Sequence, residues 1–179
     1  MLAAILELSA ATRAPVHPYR RQYVKSTYSK RAAVSVGAHA AVGQVLNHPK
    51  EWGRGAAGFG KRVASGAGTL VVKNSIQFGV AAVRHEDLRY HRSDQPGFGP
   101  RMKHALVSTV VTRKTTTGKK TVAAGRISGA VGSGLVSRAW QPAAARTVAG
   151  GLSTAGIGLA ADAGLNVARE FWPRKKSPR

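Results

Sequence analysis

The densest collection of chemically capable side chains is the run RHEDLRYHRSD, Arg84 to Asp94. It holds His85, Glu86, Asp87, His91 and Asp94. A helical zinc-protease motif places its second histidine four residues after the first. Position 89 is arginine, so that motif is missing. His85, Asp87 and His91 could still gather around a cation, but Arg84, Arg89 and Arg92 crowd them with positive charge. The run therefore reads as an ion-pair cluster of Arg84, Glu86, Asp87 and Arg89, with no metal site. Gly55, Gly60 and Lys61 have the spacing of a phosphate loop. Arg62 then stands where the Mg²⁺-binding hydroxyl belongs, and no strand-like run precedes the glycines. They read as a turn before a helix. No serine lies in a GxSxG elbow. With no cysteine in the chain, disulfides and thiolate metal sites are excluded. The expectation is a non-enzyme with no catalytic residue, no cofactor and no identifiable small-molecule substrate.

The elements that must carry these residues are helical. Four long apolar stretches run over Ala32 to Leu46, Lys61 to Val83, Val122 to Trp140 and Val148 to Trp172. Asn47-His48-Pro49, Gln141-Pro142 and Pro173 close three of them. The expected fold class is all-α: a compact bundle of about four long helices, with basic loops and tails. Residues 1–31 form a basic lead-in, read as a truncated signal or a frayed helix. Residues 32–173 form one helical domain, and 174–179 a disordered basic tail. Arg84 to Pro100 is a turn-rich insert, and RKTTTGKK (Arg113 to Lys120) a hairpin turn or exposed loop. Leu106 to Thr112 is the best strand candidate by β-branched content, with a short helix as its rival.

Each long stretch has small residues four apart, which share one helix face. They include Gly37 in the first stretch, Gly68 and Gly79 in the second, and Gly125, Gly129 and Ser133 in the third. The fourth has Gly156, Ala160 and Gly164. Such a stripe lets a neighbouring helix approach to backbone contact. A glycine inside a helix costs about 1 kcal/mol against alanine, so close packing must return it. At an offset of 31 residues the third stretch resembles the fourth, Gly125 falling on Gly156 and Gly129 on Ala160.

Net charge is +21, from 28 Lys and Arg against 7 Asp and Glu. A surface of that sign attracts polyanions, either anionic lipid or nucleic acid. No stretch is a clean membrane span, because Lys73, Asn74, Arg126, Arg138 and Asp162 interrupt them. Basic residues occupy every connection, so the sequence shows no sidedness. Trp52, Trp140 and Trp172 lie near stretch ends, where interfacial anchors or bundle caps belong. The expected partner is an anionic membrane surface at the cell envelope. Nucleic-acid binding in the cytoplasm is the alternative, and self-association through the stripes is open.

The strings PKEWGRGAAGFGKR (Pro49 to Arg62), IQFGVAAVRHEDLRYHRS (Ile76 to Ser93) and REFWP (Arg169 to Pro173) resemble a family of small basic Gly/Ala-rich bacterial proteins. The likeness covers roughly residues 34–173. That family carries no assigned activity or ligand, so it transfers no functional residue. Its members look exported or envelope-associated, which implies an envelope location here. The start of this chain departs from that pattern, because Glu7 interrupts its apolar run.

Overall fold

A computed structural model describes residues 16–173. The signal-like reading of the first residues and the disordered-tail reading of 174–179 lie outside the described residues. Six helices occur within them: α1 (Val16–Tyr28), α2 (Lys30–Val45), α3 (Ala56–Arg84), α4 (Phe98–Val107), α5 (Ala124–Val136) and α6 (Val148–Phe171). A two-stranded antiparallel hairpin, β1 (Val111–Arg113) and β2 (Lys120–Val122), separates α4 from α5. The chain is therefore mostly helical, with two more helices than the four long ones expected.

The additional helices come from segments read as lead-in and insert. In α1, Tyr19, Tyr23 and Thr27 recur every fourth residue and face α3. The Tyr23 ring stands edge-on to Phe78 at 5.8 Å between centroids. Tyr19 Oη donates to the Glu86 carbonyl at 3.0 Å, and Asn74 Nδ2 donates to Thr27 Oγ1 at 3.0 Å. Ser29 breaks α1 from α2 and caps α2 by accepting from the Ala32 amide at 3.2 Å. In α4, Pro100 stands in the first turn, where its missing N–H costs nothing. The strand candidate resolves into both rivals: its first residues end α4 and its last form β1.

The long helix α3 is the spine. α1 and α2 run antiparallel to it along one side, and α5 runs antiparallel along the other. α6 turns back beside α5, parallel to α3. The α3–α5 contact is where the small-residue stripe acts. A Cβ on Gly125 would lie 2.7 Å from the Gln77 carbonyl oxygen, and one on Gly129 2.8 Å from the Lys73 carbonyl oxygen. Ser133 is buried on the same row. A Cβ on Gly68 would lie 3.5 Å from the Trp140 ring. On the other face of α5, a Cβ on Gly134 would run into the Gly151 carbonyl oxygen of α6.

Elsewhere the predicted stripes face outward. Gly37, Gly79, Gly156 and Gly164 have nothing within 4 Å of a Cβ position, and Ala160 is exposed. The inward face of α6 is instead Gly151, Ala155, Asn166 and Glu170. The reason is polar: Asp162, Asn166 and Glu170 all have partners on other elements, and burying an unpaired polar group costs more than leaving small residues exposed. The correspondence between the third and fourth stretches accordingly fails in space, since Gly125 is packed and Gly156 is open.

The interior is polar to an unusual degree. Its apolar members are mostly alanines, with Phe78 and Leu88 the large side chains among them. Arg62, Asn74, Glu86, Arg126, Asn166 and Glu170 are buried beside them. Many larger apolar side chains face out, including Val45 (77% exposed), Val83 (82%) and Trp172 (71%).

Candidate functional site

The C-terminus of α3, the N-terminal half of α1, the hairpin and the C-terminus of α6 all arrive at one end of the bundle. Glu86 organises this end. Its buried carboxylate accepts from Arg84 Nε at 2.8 Å and from the first amides of α5, Ala124 at 3.2 Å and Gly125 at 2.9 Å. Those amides have no intrahelical partner, and the helix dipole favours an anion there. The hairpin is fastened alongside. The Asp87 amide donates to the Arg113 carbonyl at 2.8 Å, and the Thr115 amide to the His85 carbonyl at 2.7 Å.

A second buried carboxylate, Glu170, joins α6 to α4 and the insert. It accepts from Tyr90 Oη at 2.6 Å, the Ser93 amide at 3.1 Å and Arg101 Nε at 2.9 Å. Burial alone would raise its pKa. The bonds from Tyr90, Arg101 and Ser93 outweigh that and hold it below the usual carboxylate range. Burial, and then the bond to Glu170, push the Tyr90 phenol well above its ordinary value.

Glu86 and Glu170 are used internally and Asp94 is the one exposed acid described at this end, so its outer surface is basic. Arg20 and Arg21 of α1 and Arg113, Lys114, Lys119 and Lys120 of the hairpin are exposed. Arg84, Arg89, Lys103 and Arg169 are exposed there too. Beside the hairpin lies an apolar shoulder: Leu106 (49% exposed), Val107 (43%), Val110 (43%) and Val122 (56%). The opposite end exposes only Lys50, Arg54, Lys61 and Arg146 among the basic residues described there, and Glu51 offsets part of that.

No protein family, curated protein or solved structure matches this chain.

The ion-pair cluster is partly assembled. Arg84 pairs with Glu86, while Asp87 pairs with His91 Nε2 at 2.8 Å. Arg89 contributes its backbone amide to Asp87 at 2.9 Å, and its side chain is exposed. No group of three metal-ligating side chains forms among the described residues. Gly55 caps α3, and the short element before it is a 3₁₀ turn, Lys50–Trp52. The tryptophans divide between the two ends. Trp52 lies under the Arg62 guanidinium, 6.0 Å from its centroid, and Trp140 Nε1 donates to Ser65 Oγ at 3.0 Å. Both fasten the bundle, whereas Trp172 stands free at the basic end.

The charges that interrupt the apolar stretches prove to be the joints between helices. Lys73 Nζ meets Asp162 Oδ2 at 2.7 Å, joining α3 to α6. Arg126 is buried, donating to the Thr109 carbonyl at 3.0 Å, and burial lowers its pKa. Arg138 bonds the carbonyls of Gly134 and Ala145 at 3.1 and 3.0 Å, and burial lowers its pKa too. Arg62 clamps the loop before α3 through the carbonyls of His48, Pro49 and Gly53 at 3.0, 3.0 and 2.7 Å. The available signal was a lone charge inside an apolar run, which must find a partner or face water. It cannot name the partner.

Two further surfaces stand out. α6 is long and apolar enough to cross a membrane, with a mean hydropathy of 1.2 over its best window, and 11% of that window is buried. Between α2 and α6, floored by α3 and α5, runs a trough enclosing about 800 Å³.

Proposed function

We propose that the protein is a non-catalytic helical protein that docks on an anionic membrane surface through its basic end. The observation that carries this is the pairing of the exposed cations Arg113, Lys114, Lys119 and Lys120 with the exposed apolar shoulder Leu106, Val107, Val110 and Val122. Cations beside apolar side chains suit the headgroup boundary, where the charges meet phosphates and the side chains enter the acyl region. Each Lys or Arg held near such a surface contributes about 1 kcal/mol, screened beyond a Debye length. Peripheral docking fits better than spanning. The C-terminal part of α6 is tied to the bundle by Asp162, Asn166 and Glu170, and its N-terminal part packs on α5 through Gly151, which argues against an independent span. Nucleic acid is the competing partner for this charge. The hairpin that concentrates it carries no aromatic residue on which a base could stack.

Flotation with vesicles tests the reading. The protein is expected to float with equimolar phosphatidylcholine and phosphatidylglycerol, to stay behind with phosphatidylcholine alone, and to be released by salt. Replacing the four hairpin cations with glutamine should abolish flotation without loss of helical circular dichroism. Failure to float with anionic vesicles, together with a steeply salt-dependent shift of duplex DNA, would overturn it in favour of nucleic-acid binding.

A further inference from the structure

We infer that the trough between α2 and α6 is a binding site for a single-chain anionic amphiphile, a fatty acid or a lysophospholipid with an anionic headgroup. This goes beyond membrane docking and does not depend on it, since a carrier in solution would have the same trough. Its volume of about 800 Å³ lies within the range of ligand cavities. It follows α3 from Arg62 to Lys73, which at 1.5 Å per residue is about 16 Å of length. That elongated form suits a chain better than a compact ring system.

Three hydroxyls of the lining are turned away from the trough and leave it their carbon. Thr69 Oγ1 donates to the Ser65 carbonyl at 2.8 Å, Ser133 Oγ to Ala130 at 3.1 Å, and Thr154 Oγ1 to Gly150 at 2.9 Å. Each hydroxyl is thus turned back onto its own helix. Val36, Leu70 and Ile157 complete an apolar wall.

The two ends differ in charge. At one, Lys73 is neutralised by Asp162 at 2.7 Å. At the other, Arg62 and Arg138 both line the trough, and every hydrogen bond they make goes to a neutral acceptor. Glu51 sits on the rim there but lies beyond salt-bridge distance of either guanidinium. Two partly or fully buried cations without a carboxylate create a positive potential at the mouth of an apolar channel. A carboxylate or phosphate head would complete that end while its chain lies toward Lys73.

The test uses the purified full chain and cis-parinaric acid, whose fluorescence rises on entering an apolar site. Oleate should displace the probe at least tenfold better than oleyl alcohol, and high salt should narrow that gap. Equal displacement by the alcohol overturns the charge argument and with it the proposal. Gly158 lines the trough and has nothing within 4 Å of a Cβ position, so Gly158→Phe starts from open space and directs its ring at the channel. It should weaken probe binding at least tenfold at unchanged thermal stability. Gly164→Phe, which is on the exposed face of the same helix outside the trough, should leave binding intact. Loss of binding in both variants, or in neither, overturns the site. Vesicle flotation by the Gly158→Phe protein separates the two readings: it should persist, because docking uses the other end.

Discussion

Replacing Gly129 and Gly164 separately with alanine should move stability in opposite directions. Both glycines lie inside helices, where alanine is favoured by about 1 kcal/mol. At Gly164 the new methyl meets nothing within 4 Å, so the whole propensity gain should appear. At Gly129 it would stand 2.8 Å from both the Lys73 carbonyl oxygen and Gln77 Cβ. The first neighbour is backbone, so α5 and α3 must separate by about 0.6 Å to reach ordinary contact at 3.4 Å. Overpacking of that kind costs about 1–3 kcal/mol, which exceeds the propensity gain at most of its range. The separation also loosens the neighbouring Gly125 contact, which adds to the cost. Gly129→Ala is therefore expected to lose up to about 2 kcal/mol, and Gly164→Ala to gain up to about 1 kcal/mol. In a chain of this size 1 kcal/mol moves Tm by about 2–4 °C, so thermal melting by circular dichroism separates the two. A Gly129→Ala protein that melts above the parent would refute the contact. So would a Gly164→Ala protein that is destabilised as much as Gly129→Ala.

Glu170→Ala leaves the half-buried Arg101 and Tyr90 without their acceptor and should cost about 1–3 kcal/mol in urea unfolding. The folded pKa of Glu170 is depressed, so its stabilisation is full above the unfolded value of about 4.3 and is lost as pH falls through the folded value. Glu170→Gln should therefore flatten the loss of stability on acidification below about pH 4.3, as read from urea midpoints across pH. Lys73→Met alone leaves the half-buried Asp162 without its partner, whereas Lys73→Met with Asp162→Leu removes both charges. The double variant should be more stable than either single one, with a coupling of about 0.5–3 kcal/mol in a double-mutant cycle.

Much of the helical framework is visible in the amino-acid order. Asn47-His48-Pro49, Gln141-Pro142 and Pro173 stop helices close to where the structure stops them, and RKTTTGKK turns a hairpin. The row Gly125 and Gly129 lies against α3, with Ser133 buried beyond them. The rotation of α6 does not follow from its own sequence. Two faces of that helix carry small residues, and the choice between them rests with Lys73, Thr109 and Arg101, all distant in the chain. α1 was hidden for a similar reason, because its tyrosines look like part of a basic leader until Phe78 and Glu86 receive them. Sidedness of charge was hidden by topology. Every connection is basic, and only the antiparallel run of α1 and α5 against α3 shows which connections share an end.

An interior built from alanine, hydroxyls and paired charges has a thermal consequence. The heat-capacity change of unfolding rises with newly hydrated apolar area and falls with newly hydrated polar area. Here many large aliphatic side chains are already wet in the native state, and much of what unfolding would newly wet is polar. The increment should fall well below the usual 12–15 cal/mol/K, roughly, for each residue. The stability curve of this chain is then shallow. It should change less between cold and warm conditions than that of a protein filled with leucine and phenylalanine.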